Sequence, residues 1–217
     1  MKNKKAVIFD LDGTLVDSVG FHMKIHFQVF KELGIEIEEE FFHKHCNGSS
    51  PKDFYKTILL HYKGNLDLLN KAYELCEELD IITDSSGIKI YPHVYETLEK
   101  LHNSGYVLSV ASSSPRNYIN QFILQNKIDK FFVEITGGDE VSKTKPEPDI
   151  FLLAREKINI AKENCVIVED AIQGVMASKN AGIDCICLLT TTKEEDIPDF
   201  AIIAKNHSLL FDIIEEL

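Results

Sequence analysis

Six short, almost wholly apolar runs, separated by stretches with helical periodicity, constrain this chain more than anything else in it. They fall at 6–9, 107–111, 131–135, 166–168, 185–189 and 201–204. Continuous apolar runs of this length suit strands buried on both faces. Between them, Val94, Leu98 and Leu101 recur at helical spacing, as do Tyr118, Ile119, Phe122 and Ile123. Ile150, Leu153 and Ala154, then Ile172, Val175, Met176 and Lys179, give two more helical sets. Pro92 and Ser114-Pro115 suit helix starts, and Gly105 and Gly182 suit helix stops. Strand and helix in alternation imply α/β architecture: a Rossmann-like, doubly wound, mostly parallel sheet with helices on both faces. Sites in such sheets lie at the carboxyl ends of the strands.

Residues 17–88 break the alternation. Ser50-Pro51-Lys52-Asp53 reads as a capping box with proline at the first helical position, followed by Phe54, Ile58 and Leu59 and stopped by Gly64. Leu69, Ala72, Tyr73, Cys76 and Leu79 form a second helical face. Residues 22–30 alternate like a strand yet also place Met23, Phe27 and Phe30 on one helical face, ending at Gly34; the helical neighbours favour a helix. The expected organisation is a core domain from 1–16 and 89–217, with a helical cap domain inserted at 17–88.

At 217 residues and 44% hydrophobic content, such a chain can build a core without a metal or disulfide staple. Its net charge of −12 leaves no electrostatic footprint for a nucleic acid or an anionic membrane. The apolar run after the basic start is too short for a secretion signal or a membrane span. The five cysteines are an odd set without a C-x-x-C and read as buried, reduced thiols of a cytoplasmic protein.

The chemistry-bearing residues all sit at expected strand ends. The first strand runs out into Asp10-Leu11-Asp12-Gly13-Thr14, where carboxylates two residues apart can face one site and Gly13 allows a sharp turn. The second ends at Ser112-Ser113-Ser114-Pro115, hydroxyls and helix N–H groups suited to an anion. Lys145-Pro146-Glu147-Pro148-Asp149 opens a helix with one cation, and the fourth strand ends at Glu169-Asp170. Two carboxylates ~5 Å apart repel by about 3 kcal/mol at an effective dielectric near 20. Four in one site therefore need a cation beyond one lysine, and hard oxygen ligands select Mg²⁺. Such a set suits phosphoryl transfer.

These four segments resemble, in order, the four motifs of the haloacid dehalogenase-like superfamily. The early helical insert and the K-P-x-P-D run resemble its branch of β-phosphoglucomutases and small sugar-phosphate phosphatases. The resemblance implies that Asp10 is the nucleophile that forms an aspartyl-phosphate. It implies Asp12 as general acid/base, with a backbone carbonyl for Mg²⁺, Ser112 as phosphate ligand and Lys145 as stabilising cation. Asp170 and Glu169 would complete the Mg²⁺ site with Asp10 and Asp12, and the insert would be the cap. His22, Ser49, Ser113 and Arg116 are the expected substrate contacts.

The implied enzyme is a Mg²⁺-dependent phosphatase of a small phosphorylated metabolite, foremost a sugar phosphate, acting as a cytoplasmic monomer. A phosphosugar mutase is the alternative. Where the mutase cap carries an Arg right after the serine, this chain has Pro51 and then Lys52, so a bidentate phosphate clamp is missing there. A dehalogenase would need neither Asp12 nor the acidic pair. A phosphonatase would want a Schiff-base lysine in the cap, and a receiver-type switch would be smaller and capless. His43 and His45 read as surface histidines, because no carboxylate or cysteine cluster accompanies them. Ser114 reads as a helix cap.

Overall fold

A computed structural model of the protein describes residues 4–82 and 87–217, without the side chains of Lys44, Pro51, Lys52 and residues 80–82. Six parallel strands form one sheet: β1 (Ala6–Phe9), β2 (Val107–Ala111), β3 (Phe132–Thr136), β4 (Cys165–Glu169), β5 (Asp184–Leu188) and β6 (Ile202–Ala204), in the order β3-β2-β1-β4-β5-β6. β1 and β4 are central and buried at every residue, which is why their sequences are apolar without alternation. Alternate residues nonetheless serve different cores. Val7, Phe9, Val166 and Val168 join Leu98 and Leu101 of α5 (Val94–Asn103) and Ile119 and Phe122 of α6 (Arg116–Gln125). Ala6, Ile8, Cys165 and Ile167 pack on the other face against Ile150, Phe151 and Ala154 of α7 (Asp149–Ile158) and Val175 and Ala177 of α8 (Ile172–Ala181). The sheet is thus doubly wound, as the sequence implies.

Register then positions the site. Phe9 lies opposite Val110 on one side and Val168 on the other, so β1, β2 and β4 end level. The chain's direction across the sheet reverses between β1 and β4, where crevices form in open α/β sheets.

Between β1 and α5 lie α1 (Val19–Glu32), α2 (Glu39–His45), α3 (Pro51–Lys63) and α4 (Leu69–Ile82). Their own core includes Val29, Phe30, Phe54, Tyr55, Ile58 and Leu59. The ambiguous stretch at 22–30 is helical: Ile25, His26, Val29 and Phe30 are buried together, a spacing no strand could give. Gly34 and Gly64 take left-handed conformations at φ 71° and 70°, as helix stops. The capping box at Ser50 is corrected. Its hydroxyl donates to the Asp53 carboxylate at 2.9 Å and makes no bond to a helix N–H. Helix α2 has no counterpart in the sequence reading, because its Glu-Glu-Phe-Phe-His-Lys-His run has too few apolar residues to show a period. All five cysteines are free thiols, four of them buried. Among the described residues no helix is long and apolar enough to cross a membrane.

Candidate active site

Asp10 leaves the end of β1 with its N–H bonded to the Val168 carbonyl at 2.9 Å. Its carboxylate meets Lys145, whose Nζ donates both to Asp10 Oδ1 and, at 2.5 Å, to Glu169 Oε1. The lysine side chain is 1% exposed and its ammonium stands 4.9 Å from the centre of the Phe151 ring. Glu169 Oε2 accepts from the N–H groups of Asp170 at 2.8 Å and Ala171 at 3.0 Å. One glutamate therefore holds both the cation and the turn into α8. Asp170 accepts from Thr14 Oγ1 at 2.7 Å and from Thr191 Oγ1.

Two glycines make this close approach possible. Gly13 sits at φ 85°, and a Cβ there would lie 2.2 Å from Asp170 Oδ2. A Cβ on Gly174, in the first turn of α8, would lie 1.7 Å from Glu169 Oε1. An alanine inside a helix normally stabilises by about 1 kcal/mol over glycine. Gly174→Ala is expected to do the reverse, lowering stability by about 1–3 kcal/mol through overpacking against a carboxylate that cannot retreat. Urea denaturation of the variant beside the parent checks both sign and size.

Asp12 stands apart from that cluster. Its carboxylate accepts from Ser18 and Ser114 hydroxyls, each at 2.6 Å, from Tyr118 at 3.2 Å and from Ser112 at 3.4 Å. His22 Nε2 is 3.4 Å from Asp12 Oδ1 and 2.5 Å from the Tyr118 hydroxyl. Burial alone would raise the Asp12 pKa; the hydrogen bonds and charge of His22, with Ser114 and Ser18, outweigh it and hold the group at about 2. The opposite holds for its neighbours. Burial, followed by repulsion from Glu169, pushes Asp170 up to about 7 against the relief given by Thr191, Thr14 and Lys145. Burial likewise raises Asp10 well above the carboxylate range, more than Lys145 lowers it.

Those raised values are a test of what the cluster fits. Ligand oxygens of Asp10, Glu169 and Asp170 all lie within 4.8 Å of one another. Buried carboxylates that protonate for want of positive charge form a site short of a cation, and an all-oxygen donor set matches a hard divalent ion. Glu169 is the least available of the three, since its oxygens accept from the buried Lys145 ammonium and from two backbone N–H groups, whereas those of Asp170 accept from threonine hydroxyls that can turn.

A cavity of about 630 Å³ opens above Asp10 and Asp12, between the sheet and the inserted helices. Ser112, Ser113, His22 and Ser49, expected from the sequence to touch substrate, all line it. Ser113 donates to the Gly48 carbonyl at 3.0 Å and Ser49 to the Lys145 carbonyl at 3.4 Å, so both tie the inserted segment to the core. Arg116 is corrected: at the outer start of α6 its guanidinium pairs with Glu134 at 3.0 Å and Glu140 at 3.3 Å, away from the cavity lining. Two carboxylates on β3 and the following turn hold it there. Ser114 is corrected as well; it makes no helix cap, and its hydroxyl serves Asp12. Lys52, one place beyond the position of the missing Arg, has its side chain outside the described residues.

Ser18, Tyr118 and Thr191 escaped the sequence reading, as did Thr190, whose hydroxyl donates to the Gly13 carbonyl at 2.6 Å. Thr190-Thr191 lies just beyond the fifth apolar run, so the carboxyl-end rule applied to that strand would have found both. Tyr118 carried a signal only as a core residue of α6.

The haloacid dehalogenase-like hydrolase family model matches residues 7–188, and the chain belongs to that family. It is 30% identical over 184 residues to the phosphorylated carbohydrates phosphatase of Thermotoga maritima, covering 84% of this chain and 83% of that protein. It is 30% identical over 183 residues to the phosphoglycolate phosphatase of Vibrio parahaemolyticus, covering 82% and 80%. In fold it is similar to a hydrolase from Pseudomonas syringae, with a TM-score of 0.82, 24% identity and 99% of each chain covered. It is similar also to CbbY from Rhodobacter sphaeroides in complex with phosphate, with a TM-score of 0.78, 23% identity, and 99% and 100% covered. The expected enzyme class, a phosphomonoester hydrolase, stands on this membership and on relatives named phosphatases.

Proposed function

We propose that the protein is a Mg²⁺-dependent phosphatase that passes the phosphoryl group of a small phosphomonoester to Asp10 and then to water. The observation that carries this is the placement of Asp10, buried against Lys145, and Asp12 in the floor of one cavity. An Asp10 oxygen forms the new bond to phosphorus as the ester P–O bond breaks, and Asp12 gives the departing alcohol its proton. Water then attacks the aspartyl-phosphate, Asp12 takes the proton back, and inorganic phosphate leaves. At rest Asp12 is ionised; a dianionic phosphate beside it raises its proton affinity by like-charge repulsion, which readies it to donate. Lys145 and the Ser112–Ser114 segment stabilise charge on the transferring group. Asp10 and Asp170, with the Asp12 backbone carbonyl and Glu169 around them, would hold Mg²⁺, which keeps Asp10 ionised and offsets phosphoryl charge.

Purified protein with Mg²⁺ is expected to release inorganic phosphate from members of a phosphomonoester panel; no release from any of them rejects the reading. The mutase alternative has its own test. β-Glucose 1-phosphate with a trace of the bisphosphate should yield free phosphate, whereas clean conversion to glucose 6-phosphate would favour the mutase. Among the described residues no lysine or arginine lines the cavity, which disfavours a substrate gripped by phosphates at both ends. A sugar phosphate draws support from the name of the Thermotoga maritima relative, and the cavity walls bear on it below. The charge of −12 supports a monomeric enzyme without nucleic acid or membrane partners, and the free, mostly buried thiols support a cytoplasmic one.

Metal and pH are linked here. Asp170 ordinarily titrates near 3.8 and does so near 7 when folded without a cation. Between those values the folded state holds more protons on this group than the unfolded, so the contribution of Asp170 to metal-free stability is full below 3.8 and is lost as pH rises through about 7. Mg²⁺ competes with that proton. Buried His26, held neutral to about pH 3, pulls metal-free stability the opposite way, so the readout is the difference between the two conditions: the gain in melting temperature from Mg²⁺ over EDTA is expected to widen from pH 4 to pH 8. A gain of constant size across that range would disprove the linkage.

A further inference from the structure

The cavity has two unlike ends. Its floor is polar and anionic, built from Asp10, Asp12 and the serines after β2. Its far wall is apolar: Val19 and Ile25 from α1, Phe42 from α2, Cys46 after it, and Phe54 from α3. These residues belong to the helical insert, so they face whatever part of a substrate lies beyond its phosphate. Tyr73 also stands beside this wall, and most of the polar side chains there are already engaged within the fold. Asn47 spends a donor on Thr191 at 3.1 Å, and Ser49 and Ser113 bond to backbone carbonyls. His26 is bonded to the Tyr55 hydroxyl at 2.9 Å, and burial drives its pKa down to about 3, so it is neutral. Among the described residues the charged group at this end is Glu77, which repels a distal phosphate or carboxylate.

We propose that the substrate's leaving group is an uncharged, mainly apolar ring or chain, seated against Ile25, Phe42 and Phe54, and not a polyhydroxylated sugar or a second anion. This rests on the phosphatase reading above and narrows its substrate. A hexose entering this space would exchange water for carbon around most of its hydroxyls, and each unpaired one would weaken binding. An apolar group of the same size loses nothing and fills the wall. A carboxylate in this cavity meets no described lysine or arginine in the lining, so phosphoglycolate is disfavoured for a different reason.

Cyclohexylmethyl phosphate and glucose 6-phosphate make a fair comparison. Both carry a six-membered ring on a CH₂–O–phosphate arm, and both leave as primary alcohols, so intrinsic reactivity is closely matched. The expected result for the Mg²⁺-loaded protein is a kcat/KM at least tenfold higher for cyclohexylmethyl phosphate than for glucose 6-phosphate or phosphoglycolate. A ratio under tenfold against either, or the reverse order, overturns the inference and leaves the phosphatase standing. Acetyl phosphate, a small reactive reference, separates the two ideas. Its turnover with none of cyclohexylmethyl phosphate rejects the apolar seat alone. No turnover of any of the four compounds rejects the phosphatase reading and this inference with it.

Discussion

Asp10→Asn should lower turnover of any phosphomonoester by a factor on the order of 10³ or more, since removing a nucleophile has costs of this kind in other covalent enzymes. The amide keeps the size of the carboxylate but has no lone pair of comparable nucleophilicity. The fold should survive, because Glu169 continues to pair Lys145 at 2.5 Å when Asp10 is neutral. Steady-state phosphate release, with circular dichroism to confirm folding, checks this. Activity within tenfold of the parent would remove Asp10 from the chemistry. The same variant should also bind Mg²⁺ more weakly, as the donor set loses one of its anions.

Lys145→Met is expected to cost both structure and activity. The ammonium lies between Asp10 and Glu169 with side-chain exposures of 1%, 7% and 1%. Burial alone would lower its proton affinity, but Asp10 and Glu169 outweigh that and hold it firmly charged. Removing one member of such a buried set leaves uncompensated charge and costs about 3–5 kcal/mol. Glu169 suffers most, because its other oxygen is committed to the Asp170 and Ala171 N–H groups and cannot turn away. Chemical denaturation of the metal-free protein should show the full loss, and Mg²⁺ should return part of it. Lys145→Arg is not expected to rescue, since a planar guanidinium does not fit a socket closed by Phe151. A Lys145→Met protein as stable as its parent would contradict the geometry.

Much of this molecule was legible because two different periods run through it. β1 and β2 fall where the apolar runs lie, and α5 through α8 follow helical spacing, because packing on a two-sided sheet demands those patterns. The expected acidic residues Asp10, Glu169 and Asp170 come together for a related reason: each ends or follows a central strand, and level register does the rest, while Lys145 reaches them from the loop between edge strand β3 and α7. What escaped was local. Ser114 and Arg116 sit two residues apart at the start of one helix, and one turns inward to Asp12 while the other turns out to Glu134 and Glu140. No sequence pattern sets that direction, which depends on where the acids of β3 happen to stand. Helix α2 escaped because its charged run owes its shape to Phe42 packing among Phe27, Phe54 and His26. The character of the cavity wall was hidden for the same reason. Val19, Ile25, Phe42 and Phe54 are far apart in the chain, and only the packing of the insert brings them to one surface.

The level strand ends also bear on how this protein matures. Residues 10, 112, 145, 169 and 191 come from across nearly the whole polypeptide and meet only when both halves of the sheet have joined. No piece of the chain that lacks either half of the sheet holds the full set. Catalysis is therefore a late event in assembly, and its recovery during refolding would time the closing of β1 onto β4 more sharply than any spectroscopic measure of helix content.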